Sequence, residues 1–209
     1  MDKNGRCAGC LMFFATFQFI LMMVLAQVAF PCVGGSCYNL LTNPISDLGN
    51  TSVSPLWPIF NFSIVIFGAC LFAAALLAAG VFRRSQLTDL GLFAIAVAGG
   101  GAAGVGVVPE NTVLAIHSLF ALVAFWGGGA AIILLGVAML KDKNWRSYAM
   151  YSIISGIVVF IASAAMLLPS GTLAMSGPGL GFGGVERLVA APTLLWLLVV
   201  GAKIARKRA

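Results

Sequence analysis

The chain has 209 residues, of which 61% are hydrophobic and 9% charged, with 12 Lys and Arg against 6 Asp and Glu. A water-soluble core of this size cannot absorb so much apolar surface, so a soluble globular enzyme is excluded. The formal charge of +6 does not point to nucleic acid, because the basic residues border apolar segments instead of forming a patch between aromatics.

A helix needs roughly 20 apolar residues to span a bilayer. Six stretches qualify, at about 11–30, 57–82, 90–108, 112–140, 147–168 and 187–203. They predict an all-α membrane protein, with residues 1–209 forming a single polytopic domain of six transmembrane helices. The first stretch, Leu11 to Phe30, is too long for the apolar region of a signal peptide, and Ala26-Gln27-Val28-Ala29 is a poor cleavage site. It is expected to stay as the first helix. Ahead of it, Cys7 and Cys10 form a lone CxxC without a second pair or a histidine, which favours ordinary thiols over a metal site.

The first connection, Pro31 to about Leu56, contains Cys32 and Cys37 around two glycines, a spacing that suits a disulfide in an oxidising compartment. Cys70 falls mid-helix, as a packing residue. Helix 3 carries Gly99, Gly100, Gly101, Gly104 and Gly106. Gly100 and Gly104 share a face and would admit a close neighbour. A tight turn at Pro109-Glu110-Asn111 makes helices 3 and 4 a hairpin and sets His117 level with about Ala103, so the glycines there provide either a close contact or space for a ligand. The fifth connection, Pro169 to about Gly184, is nearly all small residues, and Glu186 and Arg187 then open helix 6.

Charge orients the bundle. Lys3, Arg6, Arg83, Arg84, Lys141, Lys143, Arg146, Lys203, Arg206, Lys207 and Arg208 all fall on one side of a six-helix topology. The positive-inside rule makes that side cytoplasmic, with both termini inside and the chain multi-pass in the cell membrane. The basic tail suits anionic lipid headgroups.

The other side holds Asp47, Glu110, His117, Glu186 and Arg187. Ionisable groups at membrane depth cost about 2.5–3.5 kcal/mol each at a helix centre on insertion scales, so they pair or line cavities. His117 is the single histidine, set among apolar residues; it reads as a packed residue or as a proton-exchanging group with comparable weight. Asp47 follows Asn43-Pro44-Ile45-Ser46, turn chemistry that suits a cap of a short interfacial helix or a base facing the bundle. Arg187 could hold an anionic headgroup or form a salt bridge with Asp47 or Glu110. One histidine is too few for a typical catalytic zinc, so no metal and no cofactor are expected.

The PISDLG segment, the stretch from Pro109 to His117 and the Gly-x-x-Glu-Arg of residues 183–187 together resemble the six-helix membrane family known as domain of unknown function 998 (DUF998). More distantly, Ile45-Ser46-Asp47 and the later histidine are similar to the Frag1/DRAM/Sfk1 membrane proteins, some of which are tied to lipid-anchor remodelling and lipid organisation. The resemblance implies matched positions at Ser46, Asp47, His117, Glu186 and Arg187, and no established reaction.

Three functions follow as expectations. The first is a lipid or amphiphile bound near the outer leaflet by Arg187, Glu186, His117, Asp47 and Glu110. The second is a hydrolase or transferase acting on a lipid headgroup or lipid-linked substrate. There His117 would be the acid/base, Asp47 or Glu186 its positioner and Ser46 a nucleophile that lacks any elbow motif. The third is a structural protein locked by a buried salt-bridge cluster. Membrane lipids are the expected partners, and the oligomeric state stays open. A charged relay across the membrane is disfavoured, because the inner half of each helix lacks ionisable groups.

Overall fold

The computed structural model describes residues 3–32, 37–167 and 180–206. The helices are α1 (Lys3–Val28), α2 (Trp57–Leu77), α3 (Gln86–Val107), α4 (Leu114–Met139), α5 (Arg146–Ala165) and α6 (Gly181–Arg206), and a 3-10 turn, Ser46–Gly49, sits in the α1–α2 connection. No strand occurs among the described residues. All six helices are long and apolar enough to cross a membrane. At about 1.5 Å per residue they measure roughly 30–39 Å, enough for a hydrocarbon core of about 30 Å.

Each helix packs on its chain neighbours and α6 returns to α1, so the six close into a ring; α4 and α6 touch only slightly. The ring is built with small residues inside and bulky ones outside. Phe14, Phe17, Phe62, Phe93, Leu119 and Ile161 are exposed on the flanks. Lipid solvates such side chains as well as protein does, so association gains most where backbones approach closely. A Cβ on Gly99 would lie 2.6 Å from the Gly68 carbonyl oxygen, which makes this α2–α3 crossing a backbone contact. The glycines level with His117 are also contacts: Gly104 lies against the Phe120 ring and Gly101 against the α4 backbone. Gly100 points to open space, so the expected pairing of Gly100 with Gly104 on one close contact is corrected. Adjacent helical residues point about 100° apart, and Gly101, not Gly100, takes the inward direction.

Several buried polar groups of the helices find partners within the ring, as hydrocarbon requires, whereas the buried Ser54 hydroxyl in the α1–α2 connection has none among the described residues. Thr16 and Ser163 donate to carbonyls four residues back, at 2.8 and 2.7 Å. The Trp196 indole N–H donates to Ser152 Oγ at 2.8 Å.

The bundle has chemically distinct ends. At the basic end the Arg83 N–H donates to the Asp142 carboxylate at 3.2 Å, and the Lys203 ammonium lies 3.8 Å from the centre of the Tyr148 ring. At the other end the α1–α2 connection folds over the ring. Asn111 Nδ2 donates to Thr51 Oγ1 at 2.8 Å and Arg187 Nη1 donates to the Asn43 carbonyl at 2.8 Å. Lys207, Arg208 and most of the small-residue α5–α6 connection lie outside the described residues.

Helix ends depart from hydropathy in instructive places. α1 starts at Lys3 and carries Cys7 and Cys10, both exposed, on its first turns. α3 starts at Gln86, where the Ser85 hydroxyl caps the Thr88 N–H at 3.2 Å. α6 starts at Gly181, so Glu186 and Arg187 do not open the helix but sit in its second turn. The glycines before them are helical and packed. A Cβ on Gly183 would lie 2.2 Å from the Asn43 carbonyl oxygen, and Gly181 has φ +57° with a Cβ position 2.4 Å from the Leu41 carbonyl oxygen. The Gly184 N–H also donates to that Leu41 oxygen at 2.9 Å. Only glycine lets the helix start press against the 41–43 backbone in this way.

Candidate functional site

A cavity runs along the inside of the ring from the end bearing the carboxylates. Its volume is about 120 Å³, and Ser46, Glu110, His117 and Glu186 form its polar end. Below them the walls are mostly apolar, with bulky residues such as Phe67, Leu71, Phe125 and Trp196 interrupted by small ones. Ala121, Ala124 and Gly128 come from α4, Ala98 and Ala102 from α3, and Ala190 from α6. On α4 the lining extends from His117 to Ile132, a rise of roughly 22 Å at about 1.5 Å per residue. An apolar cavity of about 150 Å³ takes up benzene, so this one suits a slender chain and not a fused-ring body.

A second cavity of about 260 Å³ lies between α4, the end of α5 and the start of α6. It shares Ser46, Glu110, His117 and Glu186 with the first, and Ala121 and Phe125 divide the two. Leu114, Leu122, Met166 and Phe182 supply its apolar wall. The same four polar residues therefore stand where two chambers meet.

Gly128 shows how the space arises. A Cβ placed there meets nothing closer than Thr193 Cγ2 at 3.7 Å, whereas Gly129 beside it is tight against Val159 and Phe160 at 3.1 Å. Within one run of three glycines, one side packs α5 and another opens onto the cavity.

Each polar side chain is held by a specific neighbour. Glu186 is buried, and its Oε2 accepts the Ile45 N–H. It thereby caps the Ser46–Gly49 turn, a role the sequence had suggested for Ser46 or Asp47; neither caps it. Asp47 instead accepts from Asn43 Nδ2 at 2.9 Å. Burial raises the Asp47 carboxyl from 3.8 to about 6; the neighbouring Glu110 raises it further, while the Asn43 hydrogen bond and the Arg187 charge oppose the rise. Asn50 Nδ2 reaches Glu110 Oε1 at 3.4 Å, a long bond, and the Asp47 carboxyl is in hydrogen-bonding contact with the same Glu110 side chain. His117, also buried, has Nδ1 at 2.7 Å from the Val108 carbonyl oxygen. A carbonyl only accepts, so Nδ1 carries a proton.

Arg187 is turned away from both chambers. Its guanidinium donates to the Asn43 and Gly183 carbonyls at 2.8 and 2.9 Å and to the Tyr38 hydroxyl at 2.8 Å. Among the described residues its hydrogen bonds go to neutral oxygens, which corrects the expected salt bridge with Asp47 or Glu110. The Asn43 carbonyl and the Tyr38 hydroxyl of the 38–44 segment, with the Gly183 carbonyl one turn back on α6, satisfy it, and the Tyr38 hydroxyl passes its own hydrogen to the Pro44 carbonyl at 2.7 Å. Cys32 and Cys37, near the start of this connection, are joined with S–S 2.04 Å.

Four of the singled-out residues, Ser46, Glu110, His117 and Glu186, thus share one cavity, while Arg187 braces the wall and Asp47 stands beside it. Sequence reasoning missed Asn61, a buried α2 residue that lines the cavity and donates to the Gly49 carbonyl at 3.0 Å. An amide within an apolar helix is the signal that could have found it. Among the described residues no three His, Cys, Asp or Glu groups are placed to hold a metal ion.

Residues 13–203 match the family model described as "Protein of unknown function (DUF998)". No curated protein and no solved structure matches the chain. The likeness to the Frag1/DRAM/Sfk1 proteins therefore gains no support.

Proposed function

The chain belongs to the DUF998 family, and we propose that this multi-pass membrane protein binds an amphiphile whose polar head sits among Ser46, Glu110, His117 and Glu186 and whose apolar chain lies along α4 and α6. One observation carries the reading: the cavity is polar at one end and apolar along the rest of its length. Hydrogen-bonding groups at the mouth with a mostly apolar channel behind them are the pattern of a site for a head-and-tail ligand. The positive-inside rule supports a cytoplasmic basic end, which sets the head-binding end near the outer leaflet and both termini inside the cell.

The enzyme reading is the weaker. His117 Nδ1 is held by a carbonyl, not by Asp47 or Glu186, so no carboxylate orients the imidazole as a base. The structural reading loses its salt bridge, since Arg187 bonds to neutral oxygens.

The test is photo-crosslinking with an alkyl chain bearing a diazirine, followed by peptide mapping. Saturable adducts on cavity residues such as Ala121, Ala124 and Ala190 support the site. Adducts confined to exposed residues such as Phe14 and Phe93, growing linearly with probe, would sink it.

A further inference from the structure

The charged side chains at the polar end of the cavity are carboxylates, which in their ionised form only accept hydrogen bonds. His117 donates through Nδ1 to Val108, so Nε2 is the ring nitrogen left to face a ligand. Glu186 accepts the Ile45 N–H and is also hydrogen-bonded by the Ser46 backbone, so the 45–46 backbone fixes its carboxylate at the cavity wall. Glu110 takes the long Asn50 contact and lies in hydrogen-bonding contact with the Asp47 carboxyl. Asn61 uses its donor on the Gly49 carbonyl. Among the described lining residues Thr193 and Ser163 donate to carbonyls of their own helices, and the Ser46 and Ser118 hydroxyls serve equally as donors or acceptors.

The charges agree with the hydrogen bonds. Glu110 and Glu186 line both chambers, and Asp47 stands next to Glu110. Among the described residues no Lys or Arg lines either chamber. The nearest cation, Arg187, has its hydrogens engaged by Asn43, Gly183 and Tyr38 on the other side of the wall. A phosphate or carboxylate head would meet only neutral hydroxyls as side-chain donors and would have two carboxylates facing it. Buried and desolvated, such like-charge contact is strongly unfavourable.

From this arrangement, and resting on the amphiphile-binding reading above, we infer that the ligand is a cationic amphiphile, an amine or alkylammonium head on a single slender chain. The head lies among Glu110, Glu186 and His117, where it supplies the positive charge that the wall lacks. The chain enters the apolar channel past Ala121 and Gly128.

The test uses the full chain in a non-ionic detergent, titrated with three probes that share one tail: dodecylammonium, dodecyl phosphate and dodecanol. Wild type, Glu110→Gln and Gly128→Leu are compared by isothermal titration. Glu110 is chosen because its side chain caps no helix and contacts Asn50 and Asp47 in the connection, and the melting temperature of Glu110→Gln checks that the fold is kept. The expected result is saturable dodecylammonium binding at least about tenfold tighter than dodecyl phosphate. Glu110→Gln reduces that preference, and Gly128→Leu weakens all three probes. Equal or tighter binding of dodecyl phosphate to wild type overturns the cationic head while leaving amphiphile binding intact. An ammonium preference that survives in Glu110→Gln and also in His117→Gln overturns the assignment to this end of the cavity. Failure of every probe to bind saturably overturns the amphiphile reading itself, and the head class with it.

Discussion

Arg187 Nη2 lies 2.8 Å from the Tyr38 hydroxyl, with the guanidinium carbon 5.6 Å from the centre of the Tyr38 ring. The contact ties α6 to the connection that folds over the acidic end, and it takes the most prominent cation of that end out of the cavity. Burial pushes the Tyr38 phenol up to about 12, against the opposing charge of Arg187, so the ring stays neutral at any physiological pH.

Arg187 is accordingly a structural residue whose loss is felt as stability. Arg187→Gln removes the donors to Asn43, Gly183 and Tyr38, and should cost about 1.5–3 kcal/mol, the range for a hydrogen bond to a charged group. Arg187→Lys should recover only part of this, because an ammonium cannot reproduce the planar fork that serves three acceptors. Thermal unfolding in detergent reads both. Amphiphile binding by the folded Arg187→Gln protein should persist; its complete loss would return Arg187 to the ligand site.

Asp47 makes stability pH-dependent in a known direction. Its carboxyl is raised to about 6 in the fold from an ordinary 3.8, so the folded state holds its proton more tightly than the unfolded chain. The associated stability is fully present below pH 3.8 and is lost as pH rises through about 6. Asp47→Asn removes the ionisation, so the variant should gain on wild type steadily as pH is raised across this window. Parallel melting midpoints for the two proteins throughout the window would show that Asp47 is not held as described.

Two glycine substitutions should separate close packing from open space. Gly183→Ala forces a methyl to within 2.2 Å of the Asn43 carbonyl oxygen and should destabilise by about 1–3 kcal/mol, as overpacking does. Gly100 meets nothing, so Gly100→Ala should be neutral or stabilise by up to about 1 kcal/mol through helix propensity. Similar melting temperatures for the two variants would mean the α6 start is not pressed against the 41–43 backbone.

Topology can be read from the native thiols. Cys7 and Cys10 are exposed near the start of α1, at the end of the chain's map that carries the basic residues. A membrane-impermeant maleimide should leave them unlabelled in intact cells and label them after permeabilisation. Labelling before permeabilisation would invert the bundle.

The six spans were legible because hydropathy is a local property, and the two ends because basic residues cluster in the connections. Helix boundaries were not, since a window of apolar residues stops where polar ones begin, whereas Lys3–Cys10 and Gly181–Val185 continue as helix beyond it. Glu110, His117 and Glu186 stood out because ionisable groups are rare at membrane depth. The partner of Arg187 was hidden, because it bonds mostly to backbone carbonyls, which carry no residue identity. The cavity was hidden as well: it depends on which of Gly127, Gly128 and Gly129 turns inward, and a run of like residues does not say.

The most direct measurement is mass spectrometry of what co-purifies with wild type and with Gly128→Leu from a mild non-ionic detergent. The leucine grows from a site with room for its Cβ into the channel, so the variant should fold while the tail of a ligand is displaced. A molecule with one alkyl chain, present in wild type and depleted in the folded variant, is the predicted result. The same complement of bound molecules in both proteins would contradict amphiphile binding in this cavity.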